Sequence, residues 1–288
     1  MTVLIAGVNG FIGTHLARHW LSLGYTVYGA ARRWPDLPAG LPLHRRIAFD
    51  LGGELRPEDV EGADVVVHLA YDRKAGIELN LEGVRRVFAT AKAAGVSRQI
   101  FVSSYSARPD ARSEYGRLKY RLETYFLERG QTVVRPGLVI GNGGLFSRNM
   151  EQILHTPLMP LLNAGSDLLP IVAVEDLVAA MTTLLQREPG AYNLFNKRLV
   201  PMRQFVEAIN RAGHHRAVYF NIPLSWAIAG LSCASKLHIR LPIDLDNLRA
   251  LKQNQECIHT SYLEDLVPDC RSFDSMIEAA VAHRAPAG

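Results

Sequence analysis

The sequence predicts a doubly wound parallel α/β sheet with a small, mostly helical C-terminal lobe. Three observations predict it. Strand-like and helix-like patterns alternate over the first two-thirds of the chain. Several strands are uninterrupted apolar runs, such as Val65-Val66-Val67 and Ile100-Phe101-Val102, the pattern of strands covered by helices on both faces. The first strand also runs directly into Gly7-Val8-Asn9-Gly10-Phe11-Ile12-Gly13, a glycine-rich turn that opens a helix.

The elements follow in order. Strands are expected at Val3–Ala6, Thr26–Ala30, Arg46–Asp50, Asp64–Leu69, Gln99–Ser103 and Thr132–Arg135. Amphipathic helices are expected at Phe11–Leu23, with Phe11, Ile12, Leu16 and Trp20 on one side, and at Ile77–Ala94 and Glu114–Glu128. After Gly141 prolines punctuate the chain (Pro157, Pro160, Pro170, Pro189, Pro201, Pro223, Pro242) and the rhythm shortens. A helix at Val174–Gln186 and a strand at Tyr192–Phe195 return to the sheet. The sheet domain therefore spans 1–140 plus about 172–196, and the lobe about 141–171 and 197–288.

Composition removes several classes. With 48% apolar and 21% charged residues over 288 positions, the chain is neither disordered nor low in complexity. A formal charge of +4, from 32 basic and 28 acidic side chains, is too small an excess to argue for nucleic acid as a partner. Cys233, Cys257 and Cys270 are odd in number and far apart, which fits free thiols in a reducing cytoplasm better than a disulfide framework or a zinc site. His214-His215 has no acidic or Cys partner at ligand spacing, so no metal is expected. The longest apolar run, Trp226 to Ala234, is too short to span a membrane. The segment Pro223–Lys236, with Leu224, Trp226, Ile228 and Leu231, suits core packing, a substrate pocket or a homodimer interface. Glu175-Asp176 fall at a helix start, where acids favour the helix dipole.

The glycine pattern carries the first chemical expectation. Gly7 permits a tight turn, Gly10 lets backbone N–H groups of a helix start approach a pyrophosphate, and Gly13 allows close helix–strand packing. That assigns dinucleotide binding to Gly7, Asn9, Gly10, Phe11, Ile12 and Gly13. The second strand ends in Ala30-Ala31-Arg32-Arg33, without the acid that would bind a ribose 2′-hydroxyl. Arg32 and Arg33 suit a 2′-phosphate, so NADP is favoured over NAD. Asp50 is placed to accept from an adenine amino group while Leu51 packs on the ring, although a lone Asp there is equally a turn residue. Leu69, Ala70 and Tyr71 follow the fourth strand, with Ala70 small enough for the cofactor to pass.

The second expectation is catalytic. Tyr115 and Lys119 lie four apart on one helical face. A lysine cation beside a phenol lowers the phenol's pKa towards neutrality, and the phenol then exchanges a proton with a substrate hydroxyl or carbonyl as hydride moves to or from nicotinamide. A serine from Ser103-Ser104-Tyr105-Ser106 would hydrogen-bond the same oxygen. A nucleophilic serine is not supported, because the G-x-S-x-G elbow is missing.

In these motifs the chain resembles the extended short-chain dehydrogenase/reductases, the NAD-dependent epimerase/dehydratase family with its Rossmann fold. The resemblance covers roughly residues 1–200. It rests on Gly7-x-x-Gly10-x-x-Gly13, Asp50-Leu51, His68-Leu69-Ala70, Asn80-x-x-Gly83, Ser103-Ser104 and Tyr115-x-x-x-Lys119. It continues in Arg135-Pro136-Gly137-x-x-x-Gly141, Val174-Glu175-Asp176 and Tyr192-Asn193-Leu194. It implies Tyr115 as acid/base, Lys119 as its partner and ribose ligand, and Ser104 as the orienting hydroxyl, with Ser103 and Ser106 as competitors. It further implies Asn80 near the nicotinamide half of the cofactor and the backbone at Pro136 and Gly137 along the nicotinamide.

Three departures stand out. Ser104 and Tyr115 are only 11 residues apart, which trims the loop between them. Leu138 stands where sugar-nucleotide members usually carry an asparagine for the substrate diphosphate, and Leu169 where they usually carry an arginine. Arg148, Lys197, Arg198 or Arg203 are nearby substitutes; otherwise the lining is apolar and suits a hydrophobic carbonyl or hydroxyl substrate. The expected function is thus NAD(P)-dependent oxidoreduction of a small molecule. Nucleotide-sugar epimerisation or dehydration on tightly bound cofactor is the alternative, and NADP sensing or scaffolding without turnover a third reading.

Overall fold

The structure, a computed structural model, describes residues 1–34, 41–223 and 260–283. The central sheet contains β1 (Thr2–Ala6), β2 (Thr26–Ala31), β3 (Arg45–Ala48), β4 (Val65–His68), β5 (Arg98–Val102), β6 (Thr132–Pro136) and a last strand at Ala191–Leu194. The spatial order is that last strand, then β6, β5, β4, β1, β2 and β3, and every pairing is parallel. The order reverses between β1 and β4, the switch point at which such sheets bind ligands beyond the strands' C-terminal ends.

The apolar runs have a direct structural reason. Val3 and Ile5 of β1 enter one core while Leu4 and Ala6 enter the other; Val65 and Val67 of β4 likewise oppose Val66. With both faces covered, period-2 alternation brings no polar positions. One face is covered by α1 (Phe11–Ser22) and α6 (Val174–Leu184), through Leu16, Trp20, Leu177 and Met181. Trp20 Nε1 also donates to Thr182 Oγ1 at 2.8 Å, joining the two helices. The other face is covered by α3 (Ile77–Ala93) and α4 (Glu114–Leu127), through Val84, Phe88, Leu118 and Phe126. A short α2 (Pro57–Val60) precedes β4.

The lobe has its own core, built from α5 (Gly144–Leu154), α7 (Met202–Ala212) and α9 (Phe273–Ala282). It is less helical than the sequence suggests. Among the described residues, β7 (Leu138–Ile140) pairs with β10 (Ile171–Ala173), β8 (Leu158–Leu162) with β13 (Val218–Ile222), and β9 (Leu168–Leu169) with β12 (Val200–Pro201); the last sheet strand at Ala191–Leu194 is β11. These strands are too short to leave a readable period. The third strand ends at Ala48, short of the expected Asp50, because the chain turns there: Asp50 Oδ1 accepts from Gly52 N–H at 2.9 Å.

Residues 260–270, expected in the lobe, pack on the sheet domain instead. Leu263 of α8 (Leu263–Leu266) is fully buried against α6, and Asn193 Nδ2 donates to the Thr260 carbonyl at 2.9 Å. Asp176, on the first turn of α6, accepts from Arg271 N–H at 2.7 Å and Arg271 Nη1 at 2.8 Å. The Glu175-Asp176 pair therefore anchors the returning chain as well as capping a dipole. Most of the apolar segment Pro223–Lys236, with Cys233, Cys257 and the 284–288 tail, lies outside the described residues. No helix among the described residues is long and apolar enough to cross a membrane.

The end of β4 carries an acid-sensitive group. His68 is buried, packs edge-on to Phe126 and pairs through Nε2 with Gln99 Oε1 at 2.8 Å. Burial pushes it down from 6.5 to about 4, against a smaller opposing effect of Gln99. Between pH 6.5 and 4 the unfolded chain takes up a proton that the folded chain refuses, so stability falls as pH drops through that window, by about 3 kcal/mol in all. Urea unfolding at pH 7 and pH 4 should show this loss, and His68→Gln should remove most of it. An unchanged pH dependence in that variant would assign the acid sensitivity elsewhere.

Candidate active site

The glycine turn joins β1 to α1. Gly7 has φ +93°, and a Cβ there would come within 2.7 Å of Ala70 N, so only glycine permits the two strand ends to lie this close. Leu69 N–H donates to the Ala6 carbonyl at 2.9 Å, which puts Leu69 and Ala70 beside the turn. Gly10 is the N-cap of α1, has no side chain to cap it, and the first turn contains no acid. The leading N–H groups at Phe11, Ile12 and Gly13 are thus left for an anion at the positive end of the helix. Thr14 N–H already returns to the Gly10 carbonyl. These features fit a dinucleotide pyrophosphate.

The flanking residues are placed as follows. Asn9 Nδ2 donates to the Arg33 carbonyl at 3.1 Å, tying the turn to the end of β2. The Phe11 ring meets His15 edge-on at 4.8 Å and lies against the Gly143-Gly144 turn of the lobe, while Ile12 packs on the core. Arg33 is exposed. Arg32 is half-exposed and not idle: its Nη1 lies 2.8 Å from Asp72 Oδ2 and 3.7 Å from Asp50 Oδ2. Asp72 went unnoticed in the sequence because it is 40 residues away in a loop with no motif. Arg32 holds Asp72 below the usual carboxylate range, after the larger effect of the Lys74 backbone N–H. Leu51 corrects an expectation. Its side chain is buried in the core beneath α3, so it does not face outward to pack on a ring.

Asn80 is also turned away from open space. It is buried, its Oδ1 accepts from Asp72 N–H at 2.9 Å, and its Nδ2 donates to the carbonyls of Asp72, Ala75 and Gly76. With these bonds it clamps the loop that carries Tyr71 and Asp72, so its influence on a cofactor passes through that loop.

Ser104, Tyr115 and Lys119 come together at the C-terminal end of β5. Ser113 caps α4, its Oγ accepting from Gly116 N–H at 3.1 Å. A Cβ at Gly116 would fall 2.6 Å from the Ser106 carbonyl, so glycine lets the helix start press onto the serine loop. This brings the Tyr115 phenol into hydrogen-bonding contact with Ser104. The Tyr71 ring packs edge-on against Tyr115 at 5.3 Å. Ser103 is buried, and its Oγ has no hydrogen-bond partner among the described residues; Ser106 N–H donates to Ser104 Oγ at 3.2 Å. Ser104, the serine expected to orient the substrate, has its hydroxyl beside the phenol. Tyr105 N–H donates to the Pro136 carbonyl at 3.2 Å, fixing the serine loop to the end of β6.

The electrostatics differ from the simple lysine–phenol expectation. Tyr115 leaves 36% of its surface exposed. Burial pushes the phenol up to about 12, and the Ser104 hydrogen bond opposes this. Lys119 is buried and donates through Nζ to the Val102 carbonyl at 2.8 Å. Its ammonium lies 4.7 Å from the Phe101 ring centre and 5.7 Å from that of Tyr115. Burial lowers it to about 8, partly offset by Glu123 one turn further on. Glu123 is itself held by Arg135 of β6, Nε at 2.9 Å and Nη2 at 2.6 Å. This buried Lys119–Glu123–Arg135 row was not apparent from the sequence.

Leu138 and Leu169, the two departures, are neighbours. Leu138 N–H donates to the Pro170 carbonyl at 2.7 Å, and both leucines pack partly buried on the lobe core. Two of the nearby cations are already engaged: Lys197 with Glu264 and Asp265, and Arg203 with Glu207.

A parallel sheet in this order, with a glycine-turned helix start at its switch point, defines a dinucleotide-binding protein of the Rossmann type. The chain belongs to the NAD dependent epimerase/dehydratase family, whose model matches residues 3–195. Among curated relatives, a ceramide reductase of Caulobacter vibrioides (strain NA1000 / CB15N) is 30% identical over 189 residues, 62% of this chain and 59% of that protein. The N-acetyl-alpha-D-glucosaminyl-diphospho-ditrans,octacis-undecaprenol 4-epimerase of Escherichia coli O157:H7 is 22% identical over 267 residues, 80% and 78% of the two chains. The alignment thus spans less than two-thirds of the reductase. Among solved structures, gox2253 shares the fold with a TM-score of 0.76 at 19% identity, covering 98% of this chain and 97% of its own.

Proposed function

We propose that the protein is an NADP-preferring oxidoreductase that interconverts a hydroxyl and a carbonyl on an apolar substrate. The observation that carries the reading is the Ser104–Tyr115 contact with Lys119 beneath it, at the open end of the sheet. When bound, a nicotinamide supplies a hydride donor or acceptor. Gly7, Gly10 and the α1 start would hold its pyrophosphate, with Asn9, Leu69, Ala70 and the Pro136 backbone alongside. Ser104 Oγ orients the substrate oxygen. Tyr115 Oη moves the proton at that oxygen; held near 12, it is protonated at neutral pH, the form that donates to a carbonyl. Lys119 keeps a cation below the phenol and has donors to spare for a ribose. Leu138 and Leu169, in place of polar diphosphate anchors, favour an apolar substrate, and the ceramide reductase relative is consistent with that class.

The epimerase reading keeps one specific support, the likeness to the undecaprenol-linked epimerase over most of the chain. Cofactor exchange separates the two. Gel filtration of the purified protein should release NADP freely if it is a dehydrogenase or reductase; cofactor retained through the column and not exchanged with added label would favour the epimerase.

The cofactor preference rests on Arg32. Releasing it from Asp72 to meet a 2′-phosphate keeps one charge-assisted bond in each state. Arg32→Ala is expected to weaken NADP binding roughly tenfold to a hundredfold and leave NAD binding unchanged. Equal calorimetric affinities of the unaltered protein for NAD and NADP would overturn the preference.

A further inference from the structure

The ends of β2 and β4 are joined by a side-chain bridge. Arg32 follows β2, Asp72 lies in the loop after β4, and β1 with its glycine turn stands between these two strands. Arg32 Nη1 is 2.8 Å from Asp72 Oδ2. The ion pair therefore reaches across the C-terminal end of β1, at the switch point where such sheets bind a dinucleotide. Asp50, beyond β3, stands behind it at 3.7 Å from the same nitrogen.

The two partners are held very differently. Arg32 extends from the strand end on a long side chain that is 52% exposed, free to turn toward another anion. Asp72 is fixed. Its N–H donates to Asn80 Oδ1, its carbonyl accepts from Asn80 Nδ2, and its Oδ1 accepts from the Lys74 N–H, each at 2.9 Å. Asn80 is buried on α3, which gives the clamp a rigid base. Tyr71, one residue earlier, packs edge-on against Tyr115 and anchors the loop from its other side. The Lys74 N–H and then Arg32 hold the Asp72 carboxyl below the usual carboxylate range, so it is charged at neutral pH. It stays in place when the guanidinium turns away.

This arrangement bears on the 2′-phosphate that distinguishes NADP from NAD. A 2′-phosphate has to draw the Arg32 guanidinium away from a fixed carboxylate, which then remains nearby as an unpaired negative charge. A 2′-hydroxyl makes no such demand, so NAD leaves the bridge intact. We infer that Asp72 is a specificity-determining residue: it competes with the 2′-phosphate for Arg32 and tempers a preference for NADP that Arg32 alone would make larger. The inference rests on the reading of Arg32 as the 2′-phosphate ligand. Because the bridge is exposed to solvent, its effect is a modest factor in affinity rather than several decades.

Calorimetric titration of the purified full chain with NADP and with NAD tests it. Asp72→Asn removes the charge but keeps an oxygen to accept from the Lys74 N–H. It should raise NADP affinity about fivefold, the upper end for an exposed ion pair, and leave NAD affinity within about twofold. Asp72→Ser, which retains the local turn through its hydroxyl, should give the same gain. Both variants should keep the thermal melting of the unaltered protein, and high salt should shrink the gain. In an Arg32→Ala background Asp72→Asn should give no gain, because no guanidinium remains to compete for. An NADP affinity unchanged or lowered in both variants, an equal gain for NAD, or a gain that persists without Arg32 would overturn the inference. The two readings fail separately. Equal affinities of the unaltered protein for NAD and NADP would remove the preference, whereas a gain confined to NADP in Asp72→Asn would support the inference even then.

Discussion

Tyr115→Phe is expected to lower turnover by at least ~100-fold, the lower end of a general acid–base contribution, while NADP affinity stays near that of the unaltered protein. The ring, its packing against Tyr71 and the helix it sits on are all retained. Only the exchangeable proton beside Ser104 is lost. Lys119→Met should damage both properties, because the same ammonium supports the phenol and is available to a ribose. If Tyr115 and Lys119 were merely a helical i, i+4 pair, their interaction would contribute only ~0.2–0.5 kcal/mol, and neither variant would change catalysis. Steady-state rates and cofactor titrations on the same preparations distinguish the two accounts.

The second large effect lies one turn beyond. Glu123→Ala takes away the carboxylate to which Arg135 Nε and Nη2 donate, and the Glu123 side chain is only 1% exposed. Removing one partner of a buried ion pair costs roughly 3–5 kcal/mol; Arg135 keeps some access to water at 18% exposure, which puts the expected loss near about 3 kcal/mol. The variant also removes the influence that raises Lys119, so the lysine should fall further below about 8. Denaturant unfolding measures the first effect. A loss under about 1 kcal/mol, the range of an exposed pair, would show that the ion pair is not a structural element of the site.

What the sequence disclosed, and what it withheld, follows from distance along the chain. Gly7, Gly10 and Gly13 were legible because a turn and a helix start are local. Tyr115 and Lys119 were legible because helical periodicity is local too. Arg32 could be seen as a cation at a strand end, but its partner Asp72 lies 40 residues on and is brought near only when β4 pairs beside β1. Lys119 was expected to act on Tyr115 and on a cofactor ribose; the Val102 carbonyl that receives it belongs to a strand 17 residues earlier. Asn80 looked like a cofactor ligand, and only the folded loop shows its four hydrogen bonds directed at residues 72–76. The β8–β13 ribbon joins segments about 60 residues apart, with strands too short to announce themselves by alternation.

The central claim is net hydride transfer at the Ser104–Tyr115–Lys119 end of the sheet, and isotope transfer tests it most directly. The protein would be incubated with long-chain ketones and NADPH deuterated at the transferable position of its nicotinamide ring, and the products analysed by mass spectrometry. The account predicts deuterium at the new carbinol carbon, one NADP formed per labelled alcohol, and no transfer by Tyr115→Phe above background. Turnover of a nucleotide sugar with no net oxidation of the added NADPH, and no label in any ketone, would contradict it.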